Sequence, residues 1–430
     1  MKISKLHIDQ FRHLENLDFD FTYQSGERKG EPLDKICFIG QSATGKTSLL
    51  ELIYDYSSQI LNIEIVNGNS LFGLSNSIRN LNSEIAFLID KNIFHVKNQE
   101  VFFKDRIYKD ENSNGGSVSF LIPQKNRNIP SYFKANLISD KNIEIFEKNP
   151  IEIFEKYADL PSIEFENFVE PNEYPKLFDD NVRPEMWLLL LQEILEYRKK
   201  LNQKLSELVN KGLLSNTEKL TLEYKKWQKE NPNKLESLAN KFNPLLEKLN
   251  LQVDLVNTEY SIPILNKRTE ETIPIQNTST GTKGLLLTFL PLFKLDTKDS
   301  IILIDEPERS LFPDMQMDLI DNYKNLAPEA QFIIATHSPF IAASFEPDER
   351  FILYFDEEGK VAVRRGSSPI GDDPNDILHN DFGINYINKY GQEKYNEYLD
   401  LKQKIHFETD IKKKEEISEK LEKLGDEYNF

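Results

Sequence analysis

Eight residues constrain this chain more than anything else in it. Gly40-Gln41-Ser42-Ala43-Thr44-Gly45-Lys46-Thr47 satisfies the pattern G-x-x-x-x-G-K-[ST] at every fixed position. Glycines at these places let backbone N–H groups turn inward around phosphate oxygens, at a helix N-terminus whose dipole favours anions. Lys46 is placed to reach the β- and γ-phosphates of a nucleotide, and the Thr47 hydroxyl to ligate Mg²⁺. The flanks supply the setting the motif needs. Lys35–Gly40 (KICFIG) reads as a short, fully buried strand, and Ser48–Ser57 carries helical periodicity. Residues Gly40 to Ser48 are therefore candidate ATP-binding residues, and the fold class is α/β.

A second apolar run ends in acid. Ile301-Ile302-Leu303-Ile304 leads into Asp305-Glu306, and Phe332–Ala335 forms another run after a helix-like stretch. Unbroken apolar runs joined by helices indicate parallel strands covered on both faces. An acid at the C-terminal end of such a strand stands where these folds bind ligands. Asp305 is the candidate to hold Mg²⁺ and Glu306 the candidate general base for water. Many strands exit into charged turns, so the phosphate loop is what makes this pair informative. Two weaker signals accompany it. Ser279-Thr280-Gly281-Thr282-Lys283-Gly284 precedes a helical pattern and offers a second anion cradle, although by itself it reads first as an ordinary N-cap. His337 follows the second run; a lone His is ordinarily structural, and only its neighbours in the pattern give it interest.

The order of these elements resembles the ATP-binding cassette (ABC) ATPases, in the non-transporter branch of RecF, the structural-maintenance-of-chromosomes (SMC) proteins and the OLD-like ATPases. Asp305-Glu306-Pro307-Glu308, Ser310-Leu311-Phe312-Pro313 and Ala335-Thr336-His337-Ser338-Pro339 resemble that branch's DEPE, SLHP and ATHSP stretches. Asp9-Gln10-Phe11-Arg12 resembles its opening strand, where an Arg lies near the nucleotide. The resemblance implies an ABC-type ATPase head, with a mixed sheet flanked by helices and a helical second lobe. It implies ATP and Mg²⁺ as cofactors, His337 as a sensor of the γ-phosphate, and a dimer. Ser279, Thr280, Gly281 and Lys283 would act across that dimer on the partner's nucleotide. The stretch TSTGTK departs from the commoner LSGGQ, with Thr280 in place of a glycine, and Gln124 is one candidate for the Q-loop glutamine. Gly371–Leu378 with Phe382-Gly383 resembles a segment of small bacterial ATPases of this branch, some encoded beside an HNH-type nuclease in anti-phage systems such as Septu. Asp372, Asp373 and Asp376 read there as an acidic turn capping a helix, in preference to a metal cluster.

The rest of the chain bounds these implications. Glu84–Tyr108 alternates like a meander of antiparallel strands, and Pro184–Asn250 is helical. Short strands are predicted at Gln252–Val256, Ser261–Leu265 and Ile273–Gln276, and one or two charged helices from Tyr395. The expected divisions are 1–160 and 261–390 for the two parts of the head, 161–260 for the helical insertion and 391–430 for a charged tail. A net charge of −18 over 430 residues argues against bulk neutralisation of nucleic acid, though a local basic patch stays open. The single cysteine, Cys37, excludes an intramolecular disulfide and a thiolate metal cage. No apolar stretch approaches a membrane span, so a cytoplasmic protein is expected. Too little chain follows His337 for a further nuclease core. The expected function is an ATPase that regulates a separate effector, a nuclease, in prokaryotic anti-phage defence. A RecF/SMC-like DNA-associated ATPase and an ATP-assembled scaffold with negligible turnover are the alternatives.

Overall fold

The computed structural model describes residues 1–60, 82–97, 100–109, 130–147, 149, 152–153, 176–369, 374–384, 391–408 and 410–428. Gln124, Asp372, Asp373 and the expected boundary at 160/161 lie outside them. The chain begins with β1 (Lys2–Phe11), β2 (Leu14–Asp20), β3 (Lys35–Gly40) and α1 (Lys46–Ile60). Then come β4 (Asn82–Ile89), β5 (Asn92–Lys97), β6 (Glu100–Phe103) and β7 (Arg106–Lys109). Six of these strands form an antiparallel sheet in the order β2-β1-β4-β5-β6-β7. Asp90-Lys91 and Lys104-Asp105, all at positive φ, make two of its two-residue turns, the geometry that matches strand twist.

β8 (Ser131–Phe133), α2 (Asp140–Glu147) and β9 (Lys176–Phe178) precede three helices, α3 (Pro184–Asn210), α4 (Thr217–Glu230) and α5 (Lys234–Glu247). A small antiparallel sheet follows, of β10 (Leu251–Val253), β11 (Ile264–Asn266) and β12 (Glu271–Ile273). These strands are shorter than the sequence predicts. Pro274, which has no N–H to offer a ladder, ends β12, and Ile275–Asn277 coils into a helical turn. Beyond lie α6 (Thr280–Lys294), β13 (Ile301–Asp305), α7 (Pro313–Met317), α8 (Leu319–Leu326), β14 (Gln331–Ala335) and α9 (Pro339–Ala342). β15 (Arg350–Phe355), β16 (Val361–Arg365), α10 (Pro374–Asn380), α11 (Gln392–Phe407) and α12 (Ile411–Tyr428) complete the described chain.

The central sheet runs β16-β15-β3-β14-β13-β8-β9. β15, β3, β14, β13, β8 and β9 are parallel, and β16 closes one edge antiparallel. Strand alternation sends Ile301, Leu303 and Ile333 to a core shared with α1 and the antiparallel sheet. It sends Ile302, Ile304, Phe332 and Ile334 to a second core with α3, α5 and α6. The mixed α/β head flanked by helices is thus the observed architecture. Its helical segment is divided: α5 and the first half of α3 join the second core, whereas α4 buries no residue.

Candidate nucleotide-binding site

β3 delivers the phosphate loop to the C-terminal edge of the parallel strands. Gly40 takes φ 144°, and a Cβ there would stand 2.0 Å from the Leu353 carbonyl oxygen of β15. Gly45, at φ 92°, would drive a Cβ to 2.7 Å from Leu14 and 3.0 Å from His13. Both positions therefore require glycine. Gln41, Ser42 and Ala43 are exposed, and Thr44 is buried with its hydroxyl donating to the Gln41 carbonyl at 2.8 Å. Lys46 opens α1, and its ammonium donates to the carbonyls of Gly40 (2.9 Å) and Gln41 (3.0 Å). Burial lowers its pKa to about 8, against the opposing pull of Asp305 and Glu306. The first turn of α1 holds no acidic side chain, so its dipole is left for an anion.

Asp305, the last residue of β13, lies level with Ala335 of β14. The Thr47 hydroxyl donates to its carboxylate at 2.8 Å, across 258 residues of sequence. Burial raises Asp305 to about 6; the Thr47 bond opposes this, and the charges of Glu306 and Glu308 add to it. A hydroxyl and a carboxylate converging at a helix N-terminus are hard oxygen donors suited to Mg²⁺, which takes few protein ligands and completes its shell with phosphate and water. Among the described residues no group of three or more His, Cys, Asp or Glu forms a fuller cage. These two residues fit the metal the loop implies.

Glu306 stands at φ 51°, left-handed for a non-glycine residue, with its N–H donating to Ala335 O at 2.8 Å. Its carboxylate is 4.0 Å from Nε2 of His337. His337, with 42% of its side chain exposed, is held below the ordinary imidazole range by partial desolvation and by Lys46, with Glu306 opposing. Its backbone N–H donates to Glu308 Oε1 at 2.8 Å, while Glu308 Oε2 is buried without a hydrogen-bond partner. Glu308 thus ties the turn after β13 to the turn after β14. No role is legible for it in the sequence beyond its place in DEPE. Arg12, at φ 56°, approaches from β1, donating to Ser48 Oγ at 2.9 Å and pairing with Glu51 at 2.8 Å.

The structure therefore brings Arg12, Lys46, Thr47, Ser48, Asp305, Glu306 and His337 to one edge of the sheet. The other predicted cradle is built separately. Ser279 caps α6, accepting from the Thr282 N–H at 3.2 Å, and Thr280 is exposed beside it. Gly281 packs so close to the next loop that a Cβ would fall 2.4 Å from Ser310 O. Lys283 is half-buried one turn on. Asp376, in the first turn of α10, is exposed where an acid suits a helix N-terminus.

A phosphate loop between a buried parallel strand and its helix, facing an acid-tipped strand of the same sheet, defines a P-loop nucleotide-binding head. Residues 1–342 match the AAA ATPase domain family, and the chain belongs to that family. It is also similar to the Septu protein PtuA of Bacillus thuringiensis, 36% identical over 72 residues. That stretch is 17% of this chain and spans only 18% of the relative's length. Solved structures with a similar fold include an Smc head domain from Pyrococcus furiosus, with an extended coiled coil bound to the C-terminal domain of ScpA. The match has 16% identity and TM-score 0.42, covering 85% of this chain and 96% of that one. The SMC head domain from Thermotoga maritima matches at 10% identity and TM-score 0.39, covering 86% and 100%. No helix among the described residues is long and apolar enough to cross a membrane.

Proposed function

We propose that the chain binds and hydrolyses ATP with Mg²⁺, and that this turnover regulates a separate effector, a nuclease, in prokaryotic anti-phage defence. The observation that carries the ATPase reading is the 2.8 Å bond from Thr47 to Asp305, with Glu306 next in the chain and His337 4.0 Å from it. In this arrangement Lys46 supplies point charge to the phosphates, and Thr47 and Asp305 hold Mg²⁺, which neutralises phosphate charge when bound. Glu306 takes a proton from the attacking water, and neutral His337 orients the carboxylate or the phosphate beside it. The likeness to the Septu protein supports the defence setting. The test is a phage challenge of cells carrying this gene with its neighbours: Lys46→Ala should abolish protection. Protection that survives Lys46→Ala would remove ATP from the role.

A DNA-associated ATPase is favoured by one specific observation. Residues 199–229 carry eight Lys against three Glu, on a chain of net charge −18. Most of those lysines are exposed along α3 and α4. Under this reading duplex DNA stimulates phosphate release, and added salt removes the stimulation as counterion release predicts. Under the defence reading, with no nuclease chemistry of its own, the purified chain leaves plasmid intact in Mg²⁺.

A further inference from the structure

We propose that Lys134 is a ligand of the nucleotide's terminal phosphate, stored on Glu51 until ATP binds. The inference rests on the ATP reading above and adds a residue that no sequence motif marks.

Strand register sets the geometry. β8 pairs with β13 in parallel, setting Ser131 against Ile302, Tyr132 against Leu303 and Phe133 against Ile304. The next rung places Lys134 beside Asp305, one strand spacing of about 4.8 Å away. Alternation then fixes direction. Tyr132 and Leu303 share the core that contains α1, so Lys134 and Asp305, two residues on, leave their strands toward α1. There α1 presents Thr47 and Glu51, four residues apart and so on one face, with Cβ atoms about 5–6 Å apart. The outcome is a ladder of two polar rungs: Asp305 to Thr47 at 2.8 Å, and Lys134 to Glu51 at 3.2 Å.

Glu51 pairs with Arg12 at 2.8 Å as well as with Lys134, so its carboxylate keeps a cation when Lys134 leaves. Lys134 keeps 30% of its side chain exposed, enough to leave Glu51 without breaking the core. Asp305 and Glu306 are anions that repel a polyphosphate, so a cation beyond Lys46 adds to its binding. A terminal phosphate on Lys46, with Mg²⁺ on Thr47 and Asp305, would stand one rung from the Lys134 ammonium. ADP has no group there. Lys134 therefore gives the site its preference for the triphosphate.

The experiment is titration calorimetry of ATP and ADP with Mg²⁺, on the full chain carrying Glu306→Gln so that ATP persists. Lys134→Ala should weaken ATP by about 10-fold or more, the scale of one charged hydrogen bond, and leave ADP within about 2-fold. Lys134→Arg should retain most of the preference, and Lys134→Gln should behave like the alanine. Glu51→Gln, which removes the storage partner, should keep or raise the ATP-over-ADP ratio. A salt bridge that only stiffens the fold predicts otherwise: both rung variants would melt earlier and neither would change the ratio. Equal weakening of ATP and ADP, unchanged ATP affinity in Lys134→Ala, or full affinity in Lys134→Gln would each overturn the proposal. If the parent chain binds no ATP, the nucleotide reading fails and takes this inference with it.

Discussion

At Asp55, two turns beyond Thr47 on α1, a half-buried carboxyl lies near the Glu51 carboxylate. Burial first, and Glu51 second, raise its pKa to about 7, while Lys134 and Arg12 pull the other way. A carboxyl whose folded pKa lies above its unfolded value holds more protons in the native state. Stability therefore falls as pH rises from about 4 to about 7. Asp55→Asn should remove that slope, giving a melting temperature flatter with pH and higher than the parent's at pH 7. A parallel shift of both curves would refute the assignment. The chemistry of the site makes a second residue-scale prediction. Lys46→Ala should abolish ATP binding, whereas Glu306→Gln should retain it and slow phosphate release by about 10²-fold, the usual loss with a general base. Undiminished release by Glu306→Gln would take Glu306 out of that role. Lys46, Thr47, Asp305 and Glu306 were legible because each stands in a contiguous pattern whose chemistry depends on residue type. Glu51, Lys134 and Glu308 were not. Glu51 and Lys134 meet only through strand pairing, which leaves no trace in local sequence, and Glu308 shows there as a place in DEPE without its bond to the His337 N–H.

Among the elements, length separates what could be read from what could not. β13 and β14 are unbroken apolar runs buried on both faces, so their parallel setting showed in composition alone. β8 and β9 have three residues each, too few for any period, yet they extend the central sheet on the far side of β13. α9 shows how a short element is held. It has four residues, and Ser338 caps its start, accepting from the N–H groups of Phe340 and Ile341. Beyond its end, Arg350 donates to the Phe345 carbonyl at 3.1 Å and pairs with Asp381 at 2.9 Å, both side chains fully buried. Asp381 in turn accepts from the Ser367 N–H at 2.9 Å. This pair ties the turn after His337 to α10. Asp381→Ala strands a buried guanidinium and should cost about 3–5 kcal/mol in denaturant titration. A loss under about 1 kcal/mol would show that water reaches Arg350 and satisfies it.

At the scale of the whole molecule, the phosphate loop and the cap of α6 are built as separate parts. Within one chain, Ser279 engages its own first helical turn and Gly281 packs on Ser310. Neither hydrogen bond nor packing there uses residues 40–48. We propose that this exposed helix start closes over ATP held by Lys46 of a second copy, so that two-fold symmetry makes two composite sites per dimer. Mixing separates this arrangement from a self-sufficient chain. Lys46→Ala homodimers have two sites without the lysine, and Ser279→Arg homodimers have two sites with a blocked cap. A mixed dimer gathers both lesions at one site and leaves the other intact. Equal random mixing makes about half the dimers mixed and restores about a quarter of all sites, if subunits exchange freely and sites act independently. Native mass measurement establishes the exchange, and phosphate release then reads the recovery. Strong cooperativity between sites lowers the recovered fraction, so the decisive result is its presence. No recovery in demonstrated mixed dimers counts against a shared site. A fully active Ser279→Arg homodimer ends it, because a bulky cation at that cap could not close over a neighbour's nucleotide without effect.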